Sequence, residues 1–450
     1  MRFLVTSLAL LASAASAATP AELRDAALAD DHVAWDLTEG LTTEVGQRLA
    51  GTDAEARART WAVAHLKSLG FANVHVEPFD IPVWVRGEER AEVMGPAPQT
   101  LQLAALGNSG ATPPEGITAE VVGFDGIDAL RAARPDQVRG KIVFVTHAME
   151  RTQDGSSYGV FGAVRRVAPS VASLKGAAAI VIRSIGTDHH RVPHTGVQTW
   201  SDGARPIPAA ALSVPDAEQL ARLLARGRPV QLRLLLTPRF TGTHGSGNVI
   251  AEVPGRDGKA GIVLIGGHLD SWDLGTGAID DAAGVAITAA AAKRVMAAGR
   301  PLRTIRVVWF GDEEFGGLGA TAYAKAHGSE RHVMAGESDF GADRVWRFDT
   351  RVADVSAPLV HQIGTALLPL GITQGHNDAE GGTDVEPMIA LGTPAISLRQ
   401  DGLRYFDLHH TADDTLDKID PAQLRQNVAA WTALLAVVAN SAETLQPLPR

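Results

Sequence analysis

The stretch IVLIGGHLDSWDLGTGAIDDAAGV, residues 262–285, combines two patterns with opposite burial preferences. It begins as an apolar run that ends in two glycines, which is typical of a strand buried on both faces of a sheet. One histidine and four aspartates follow, and the chain then resumes as an alanine-rich helix. Burying so many carboxylates beside a core strand costs on the order of several kcal/mol per charge unless each is paired. This part of the fold therefore requires compensating positive charge.

The composition is that of a globular protein with a large core. The chain has 450 residues, of which 45% are hydrophobic and 20% charged, and this length allows two or more domains. Its formal net charge of −10 argues against nucleic acid or an anionic membrane surface as a partner. The sequence contains no cysteine, which excludes a thiol nucleophile and a thiolate metal site.

Residues 1–17, MRFLVTSLALLASAASA, have the features of a secretory signal peptide. One arginine precedes an apolar stretch, and the small residues Ala15, Ser16 and Ala17 suit cleavage by signal peptidase. The alternative is a membrane anchor, but the apolar stretch is too short to span a bilayer comfortably. We therefore expect an exported protein, periplasmic or secreted, without membrane association after cleavage.

The remaining sequence predicts an α/β fold that is interrupted by an insertion. Residues 118–215 contain short β-like runs such as GKIVFV and AAAIVI, separated by long loops. From residue 247 onward, buried strands alternate with helices, which predicts a mixed, mostly parallel central sheet flanked by helices. The predicted division is a signal peptide at 1–17, a catalytic domain in two parts at 18–117 and 216–450, and a β-rich inserted domain at 118–215.

Acidic and histidine clusters follow the predicted strands of the second half. GGHLD and GDEEFGG each end a strand, and ESDFG and LHHTADDT lie in later loops. Open α/β sheets bind ligands at the carboxyl ends of their strands, so we expect these groups to meet. Two divalent cations would compensate several carboxylates at once. Histidine and carboxylate ligands without cysteine suit zinc, with manganese and cobalt as alternatives.

The combination of HLDSW, an Asp-Asp pair after a glycine-rich loop, a Glu-Glu pair, ESD and HHT resembles the two-zinc exopeptidase family. That family includes aminopeptidase Y and secreted bacterial aminopeptidases, and the resemblance is greatest to its carboxypeptidase Q branch. It covers essentially the whole mature chain and is strongest over residues 247–420. The inserted segment resembles a protease-associated domain, with GKIVFV and GAAAIVI in the expected order. The resemblance implies a zinc-exopeptidase fold with this insertion.

The resemblance also implies a role for each clustered residue. Asp280 would bridge the two ions, and the full set of implied metal ligands is His268, Asp280, Glu314, Asp339 and His410. Glu313 would be the general base, because a carboxylate beside the metals can take the proton of the attacking water and pass it to the leaving amine. Relatives often have a non-proline cis bond after the bridging aspartate, so we expect one between Asp280 and Asp281.

Two aspartates are candidates for orienting the metal-binding histidines. Asp270 follows His268 by two residues, so in an extended segment both side chains lie on one side. We therefore predict that the Asp270 carboxylate accepts the imidazole N–H and supports catalysis by holding the ring. Asp414, four residues after His410, is expected to do the same less directly.

Four further features are candidates for contacts with substrate. His409 is either a donor to the oxyanion or a ring packed beside the ligand. Tyr405 is either a further donor to the oxyanion or a packed ring with a solvated hydroxyl. Asp384, in GGTD, is a candidate contact for the free terminus of the substrate. The insertion contains DHHRVPHTGVQTW, residues 188–200, which either contributes to the substrate mouth or forms a polar loop.

The leading hypothesis is a secreted metal-dependent exopeptidase of the carboxypeptidase Q type, which hydrolyses dipeptides or terminal residues of short peptides. An aminopeptidase of the same family is the main alternative. An acidic pocket near Asp384 would favour a free amine, whereas Arg351 or Arg399 would favour a free carboxylate. A single-zinc glutaminyl cyclase and an inactive receptor-like binding protein are further alternatives, and the complete ligand set argues against both. Relatives commonly dimerise, so a homodimer is a further hypothesis.

Overall fold

The computed structural model describes residues 18–449 of the chain. The predicted signal peptide at residues 1–17 lies outside the described residues. Within the described range, no helix is both long enough and apolar enough to cross a membrane. These residues form two sheets of eight strands each.

The strands and α-helices are numbered in chain order. Strands β1 to β16 are Ala72–Val85, Glu89–Met94, Gln99–Leu101, Leu103–Ala105, Ile117–Asp125, Ile142–Thr146, Ala179–Arg183, Ala209–Leu212, Gln231–Leu236, Arg239–Val253, Ile262–His268, Thr304–Phe310, His332–Glu337, Val345–Arg351, Thr373–Gln374 and Ala395–Gln400. Helices α1 to α14 are Pro20–Asp30, Val33–Gly40, Asp53–Ser68, Gly126–Ala132, Pro135–Val138, Ser156–Arg166, Ala168–Leu174, Val214–Leu224, Ala283–Ala297, Leu318–His327, Ala357–Leu367, Glu386–Ala390, Tyr405–Leu408 and Pro421–Val438. A π-helical turn, Ala278–Ala282, leads into α9.

The first sheet has the mixed α/β architecture that the alternating pattern predicted. Its strand order is β1-β10-β12-β11-β13-β16-β14-β15. The four central strands, β12, β11, β13 and β16, run parallel to one another, whereas β1, β10 and β14 join them through antiparallel pairings. The carboxyl ends of β11, β12 and β13 therefore lie at one edge of the sheet, where the acidic clusters follow them.

Strand β11 is covered by helices on both faces of the sheet. Val263 and Ile265 are fully buried in the hydrophobic cluster that includes α9. Leu264 points to the opposite face and belongs to a second cluster with Tyr323 of α10 and Met388 of α12. Because successive side chains of a strand alternate between faces, only an unbroken apolar run can supply both clusters.

Two helices begin at residues whose side chains cap the first turn. The Thr52 hydroxyl accepts the backbone N–H of Glu55 at 3.4 Å at the start of α3. The Asp420 carboxylate accepts the N–H of Ala422 at 2.7 Å at the start of α14. Helix α14 packs on α1 and α9, so the end of the chain covers one face of the first sheet.

The second sheet extends beyond the predicted insertion at both ends. Its strand order is β3-β2-β9-β5-β6-β7-β8-β4, so it includes strands from Glu89 to Leu236. The predicted range 118–215 omitted β2, β3, β4 and β9, because β2 pairs with a strand far along the chain and local patterns do not reveal such pairing. Five helices, α4 to α8, lie between Glu89 and Leu236. The domain boundaries remain a prediction, and the sheet favours 89–236.

The first turn of α9 lies against the segment that follows β13. A Cβ atom at Gly284 would overlap the carbonyl oxygen of Ser338 and the carboxylate of Asp281. The Asp281 carboxylate also accepts the Gly284 N–H at 3.0 Å. This helix can therefore reach its position only if residue 284 has no side chain.

We predict that Gly284→Ala lowers the free energy of unfolding by more than about 2 kcal/mol, because the added methyl group meets backbone that cannot move aside. Gly159→Ala is the matched control: Gly159 lies in α6, and a Cβ there meets nothing within 4 Å. The control should be neutral or stabilising by up to about 1 kcal/mol, since alanine is the better helix former. Chemical denaturation of both variants provides the measurement, and equal midpoints would contradict the prediction.

Candidate metal centre

The carboxylate of Asp280 lies between two histidines that come from distant parts of the chain. Its Oδ1 is 3.0 Å from Nε2 of His268, at the end of β11. Its Oδ2 is 3.2 Å from Nε2 of His410, in the loop after α13. Each oxygen therefore faces a different imidazole, which is the arrangement required of a carboxylate that bridges two ions.

The two other predicted ligands complete the two halves of this cluster. Oδ1 of Asp339, in the loop after β13, is 3.5 Å from Nε2 of His268. Oε2 of Glu314, in the turn after β12, is 3.0 Å from Nε2 of His410. All five side chains thus converge at the carboxyl ends of the parallel strands, as predicted. The expected cis peptide bond between Asp280 and Asp281 is present.

The spacing of these atoms suits bound cations. Two ligands of a tetrahedral zinc ion, each about 2.0 Å from the metal, lie about 3.3 Å from one another. The nitrogen–oxygen separations in the cluster, 3.0 to 3.5 Å, bracket that value. Three groups of side chains have ligand atoms that all lie within 4.8 Å of one another. The first group is Asp280, His409 and His410, the second is His268, Asp281 and Asp339, and the third is His268, Asp280 and Glu314.

Several carboxylate oxygens of the cluster have no other partner. Oδ2 of Asp280, Oδ1 of Asp339 and Oε1 of Glu314 are buried and accept no hydrogen bond from the described residues. A buried carboxylate oxygen without a partner is costly, so these atoms call for a cation. This observation supports the fit between the side chains present and a pair of metal ions.

The electrostatic environment favours positive charge at the same point. Burial opposes the charged form of His268, but the carboxylates of Asp339 and Asp280 outweigh it and raise its pKa well above the usual range. The pKa of His410 is raised in the same way by Glu314 and Asp280. Burial opposes ionisation of Asp280, yet the two histidines hold its pKa well below the ordinary value. A cation at either histidine would experience the same attraction.

The family model of peptidase family M28 matches residues 248–435. Carboxypeptidase Q of Bos taurus is 36% identical over 408 residues, which cover 90% of this chain and 85% of that protein. The chain belongs to peptidase family M28. Among solved structures, a peptidase M28 precursor from Shewanella amazonensis SB2B is 47% identical with a TM-score of 0.92, over 96% of this chain and 98% of that one. A zinc aminopeptidase from Bacillus subtilis, 20% identical with a TM-score of 0.64 over 90% and 94% of the two chains, shares the fold.

Membership of family M28 confirms the predicted family, the mixed α/β fold and the prediction of a metallopeptidase, a hydrolase with a metal cofactor. The roles of individual residues are not established by these similarities. They are argued from the geometry of this chain. That geometry shows that the predicted roles of two aspartates, Asp270 and Asp414, are wrong.

The first of these predictions concerns how His268 is oriented in this M28 peptidase. Its Nδ1 is 2.9 Å from the backbone carbonyl of Asp270, whereas the Asp270 carboxylate is 3.8 Å away. Strand β11 ends at His268, so the alternation of side chains that the prediction assumed does not continue to Asp270. The carboxylate instead accepts the backbone N–H groups of Glu313 at 3.2 Å and Glu314 at 3.3 Å. It therefore holds the turn that carries the candidate base and a candidate ligand.

The second wrong prediction concerns Asp414, which does not contact the ring of His410. Its Oδ1 accepts the backbone N–H groups of Ala278 and Ile279, both at 2.7 Å, immediately before Asp280. The prediction placed Asp414 near His410 from their spacing of four residues, but the Asp414 carboxylate points to the π-helical segment. Like Asp270, it anchors the backbone beside a candidate ligand.

His409 and Tyr405 lie beside the cluster without a hydrogen bond to it. The ring of His409 stacks on His410 with centroids 3.5 Å apart, and its Nε2 is 3.6 Å from Oδ2 of Asp280. Burial and the neighbouring His410 hold its pKa well below the usual range, so the ring is neutral. Tyr405 packs 5.0 Å from His409 and stacks on Phe340. A role for either residue at the oxyanion remains a prediction.

Asp384 lies in the interior and is fully buried. Its N–H donates to Oε2 of Glu337 at 2.9 Å, and its two carboxylate oxygens accept no hydrogen bond from the described residues. Burial, followed by the charge of Glu337, raises the pKa of Asp384 well above the usual range. A side chain in this position does not face the solvent from which a substrate arrives, which argues against the predicted contact with a substrate terminus.

A buried arginine that sequence reasoning missed supports the loop between β11 and α9. Arg48 is fully buried, and it donates to the carbonyl oxygens of Leu269 at 2.5 Å, Thr276 at 2.7 Å and Gly277 at 2.8 Å. Burial lowers its pKa, and Asp414 is the carboxylate that most opposes this effect. Nothing in the local sequence GQRLAG indicates this role, because these three carbonyls belong to residues more than 200 positions away.

We predict that Arg48→Met lowers the free energy of unfolding by about 3 kcal/mol, because three loop carbonyls lose their donor and the buried acidic groups lose a cation. Arg226→Met is the matched control, since Arg226 is exposed in the loop after α8. The measurement is urea denaturation of the metal-free protein. A destabilisation no larger than that of the control would show that the loop does not depend on Arg48.

Proposed function

We propose that this M28 peptidase is an exported zinc-dependent exopeptidase, similar in action to carboxypeptidase Q, which hydrolyses dipeptides or terminal residues of short peptides. The observation that carries the proposal is the placement of Asp280, whose two oxygens lie 3.0 and 3.2 Å from two different histidines. Export is proposed from residues 1–17 alone, and homodimerisation stays a hypothesis.

The ligand set divides into two half-sites that share Asp280. His268 and Asp339 with Oδ1 of Asp280 would hold one ion, and His410 and Glu314 with Oδ2 would hold the other. When bound, two zinc ions lower the pKa of a water molecule and polarise the scissile carbonyl. A single-zinc cyclase needs one metal site, and an inactive receptor needs none. The complete second half-site therefore favours the peptidase hypothesis.

His410 is preferred over His409 as the ligand of the second half-site. Both rings lie near Asp280, but only His410 also lies beside Glu314, at 3.0 Å. A neutral His409 stacked on the ligand is in position to donate a hydrogen bond towards substrate. This role of His409 is proposed from its position beside His410.

Glu313 is proposed as the general base. It directly precedes the candidate ligand Glu314, and both backbone N–H groups are bonded to Asp270. Burial raises its pKa well above the usual range, and the nearby Asp339 and Glu314 add to the effect. A carboxylate that holds a proton more firmly can accept it from the attacking water and deliver it to the leaving amine.

We predict that Glu313→Gln lowers kcat on a dipeptide about 10²- to 10⁴-fold, because the amide cannot accept the proton. The zinc content per chain should stay unchanged, since Glu313 is not a proposed ligand. Glu115→Gln, at an exposed position remote from the candidate ligands in sequence, is the control and should retain activity. Loss of zinc from Glu313→Gln would instead make Glu313 a ligand and contradict the proposed division of roles.

The charges that line the cavity containing Arg351 and Arg399 do not by themselves choose between the two ends of a peptide. Arg351 and Arg399 line a cavity of about 490 Å³, but Glu380 and Glu386 line it as well. Arg399 is also paired with Asp349 at 2.9 Å. We therefore base the proposed carboxypeptidase specificity on the 36% identity to carboxypeptidase Q over 90% of the chain.

We predict that the enzyme hydrolyses an N-acetyl dipeptide but not the matching dipeptide amide, because the free carboxylate is the recognised end. Mass spectrometry of the products, with and without a chelator, provides the measurement. The reverse preference would assign the aminopeptidase alternative. Hydrolysis that survives removal of the metal would contradict the proposed chemistry for both alternatives.

A further inference from the structure

A segment of the inserted domain, here called the PHT segment (Pro193, His194 and Thr195), lies against the HHT motif. The backbone N–H of Thr195 donates to the carbonyl of His410 at 3.0 Å. The carbonyl of Thr195 in turn lies 3.3 Å from Nδ1 of His410. The candidate ligand is therefore held from the side opposite to Nε2, the atom that faces Asp280 and Glu314.

The side chain of His194 extends this contact to the preceding residue. Its Nδ1 is 2.8 Å from the carbonyl of His409, and its Nε2 is 2.5 Å from Oδ2 of Asp188. The side chains of both His194 and Asp188 are only 1% exposed. A carbonyl and a carboxylate are both acceptors, so each ring nitrogen of His194 donates one hydrogen bond.

The backbone of His410 requires external support. Its φ is 61°, in the left-handed region that residues with a side chain rarely adopt. Such a conformation is strained and persists only where the surroundings enforce it. The hydrogen bonds from His194 and Thr195 reach the carbonyls of His409 and His410, on either side of this backbone angle.

The orientation of the His410 ring depends on the same segment. If Nε2 binds a metal, the ring proton is on Nδ1. This N–H group must donate a hydrogen bond to an acceptor, and that bond fixes the orientation of the ring. Among the described residues, the acceptor facing Nδ1 is the Thr195 carbonyl. The buried Arg165 donates to that carbonyl at 3.3 Å, and the same guanidinium nitrogen lies 3.3 Å from Nδ1 of His410. Because arginine has no acceptor, the Thr195 carbonyl is the group of the two that can receive a proton held on Nδ1.

We infer that the PHT segment of the inserted domain positions His410 for metal binding, and that His194 is the positioning residue of this contact. The inference rests on the proposed function, in which His410 is a metal ligand. His194 touches neither the proposed ions nor a substrate; it acts through the carbonyl of His409. The inserted domain thus contributes to the metal centre itself.

Two substitutions separate this role from a purely structural one. The amide nitrogen of asparagine lies where Nδ1 of histidine lies, so His194→Asn keeps the bond to the His409 carbonyl and loses Asp188. The amide nitrogen of glutamine reaches the position of Nε2, so His194→Gln keeps a partner for Asp188 and loses the His409 carbonyl. His189→Ala, at an exposed position of the same loop, is the control.

The experiment measures zinc dissociation constants of the full-length protein by competition with a chromophoric chelator, together with the visible spectrum of the cobalt-substituted protein. Thermal unfolding of each metal-free variant is recorded in parallel. We expect His194→Gln to weaken binding of the second zinc ion about 10- to 100-fold, which is the usual effect of removing a hydrogen bond that orients a ligand. Its cobalt spectrum should change as well. His194→Asn should bind zinc nearly as tightly as the wild type and should lower the unfolding temperature more.

Each outcome bears on a different step of the argument. Weaker binding in His194→Asn with normal binding in His194→Gln would reduce His194 to a partner for Asp188 and overturn the inference. Equal zinc affinity in all variants would also overturn it while leaving the proposed function intact. If the wild type binds two zinc ions and His410→Ala still binds both, the proposed ligand role of His410 fails, and the inference fails with it.

Discussion

The carboxylate of Asp280 is the group on which the arrangement of the centre depends, because its two oxygens face two histidines from distant parts of the chain. His268 reaches it from the end of β11, and His410 reaches it from the loop after α13. The buried carboxylates that meet at these histidines could not lie so close together without positive charge among them. The convergence of strand ends and the need for cations are therefore a single constraint on the fold.

Buried charges around the centre support the backbone rather than the metals. Asp270 and Asp414 each accept two backbone N–H groups, and Arg48 donates to three carbonyls of the loop before α9. A charged group tolerates burial only when hydrogen bonds replace its hydration. Here the replacing groups belong to the loops that carry the candidate ligands. Stability and ligand geometry consequently depend on the same contacts.

The sequence predicted the first sheet and the five converging side chains because each signal is local: an apolar run for β11, and acidic or histidine clusters directly after strands. It failed where the partner is distant. Asp270 was expected to bind the His268 ring, yet the strand ends at His268 and the carboxylate turns to the backbone of Glu313 and Glu314. The bounds of the insertion remain a prediction, but the sheet extends beyond them, since β2 pairs with β9 and no local pattern records that pairing. Arg48 left no sequence signal at all.

The loop between β7 and β8 of the second sheet supports the metal centre. A residue in the left-handed region keeps that conformation only where the surrounding structure enforces it. For His410 that support comes from Thr195 and His194, and the segment is fixed further by the bond from Thr187 N–H to the carbonyl of Phe406 at 3.0 Å. Displacing the inserted domain would break these bonds together. The geometry of one half-site is therefore coupled to the packing of the two sheets, whereas His268 ends β11 and Asp339 follows β13, both in the first sheet.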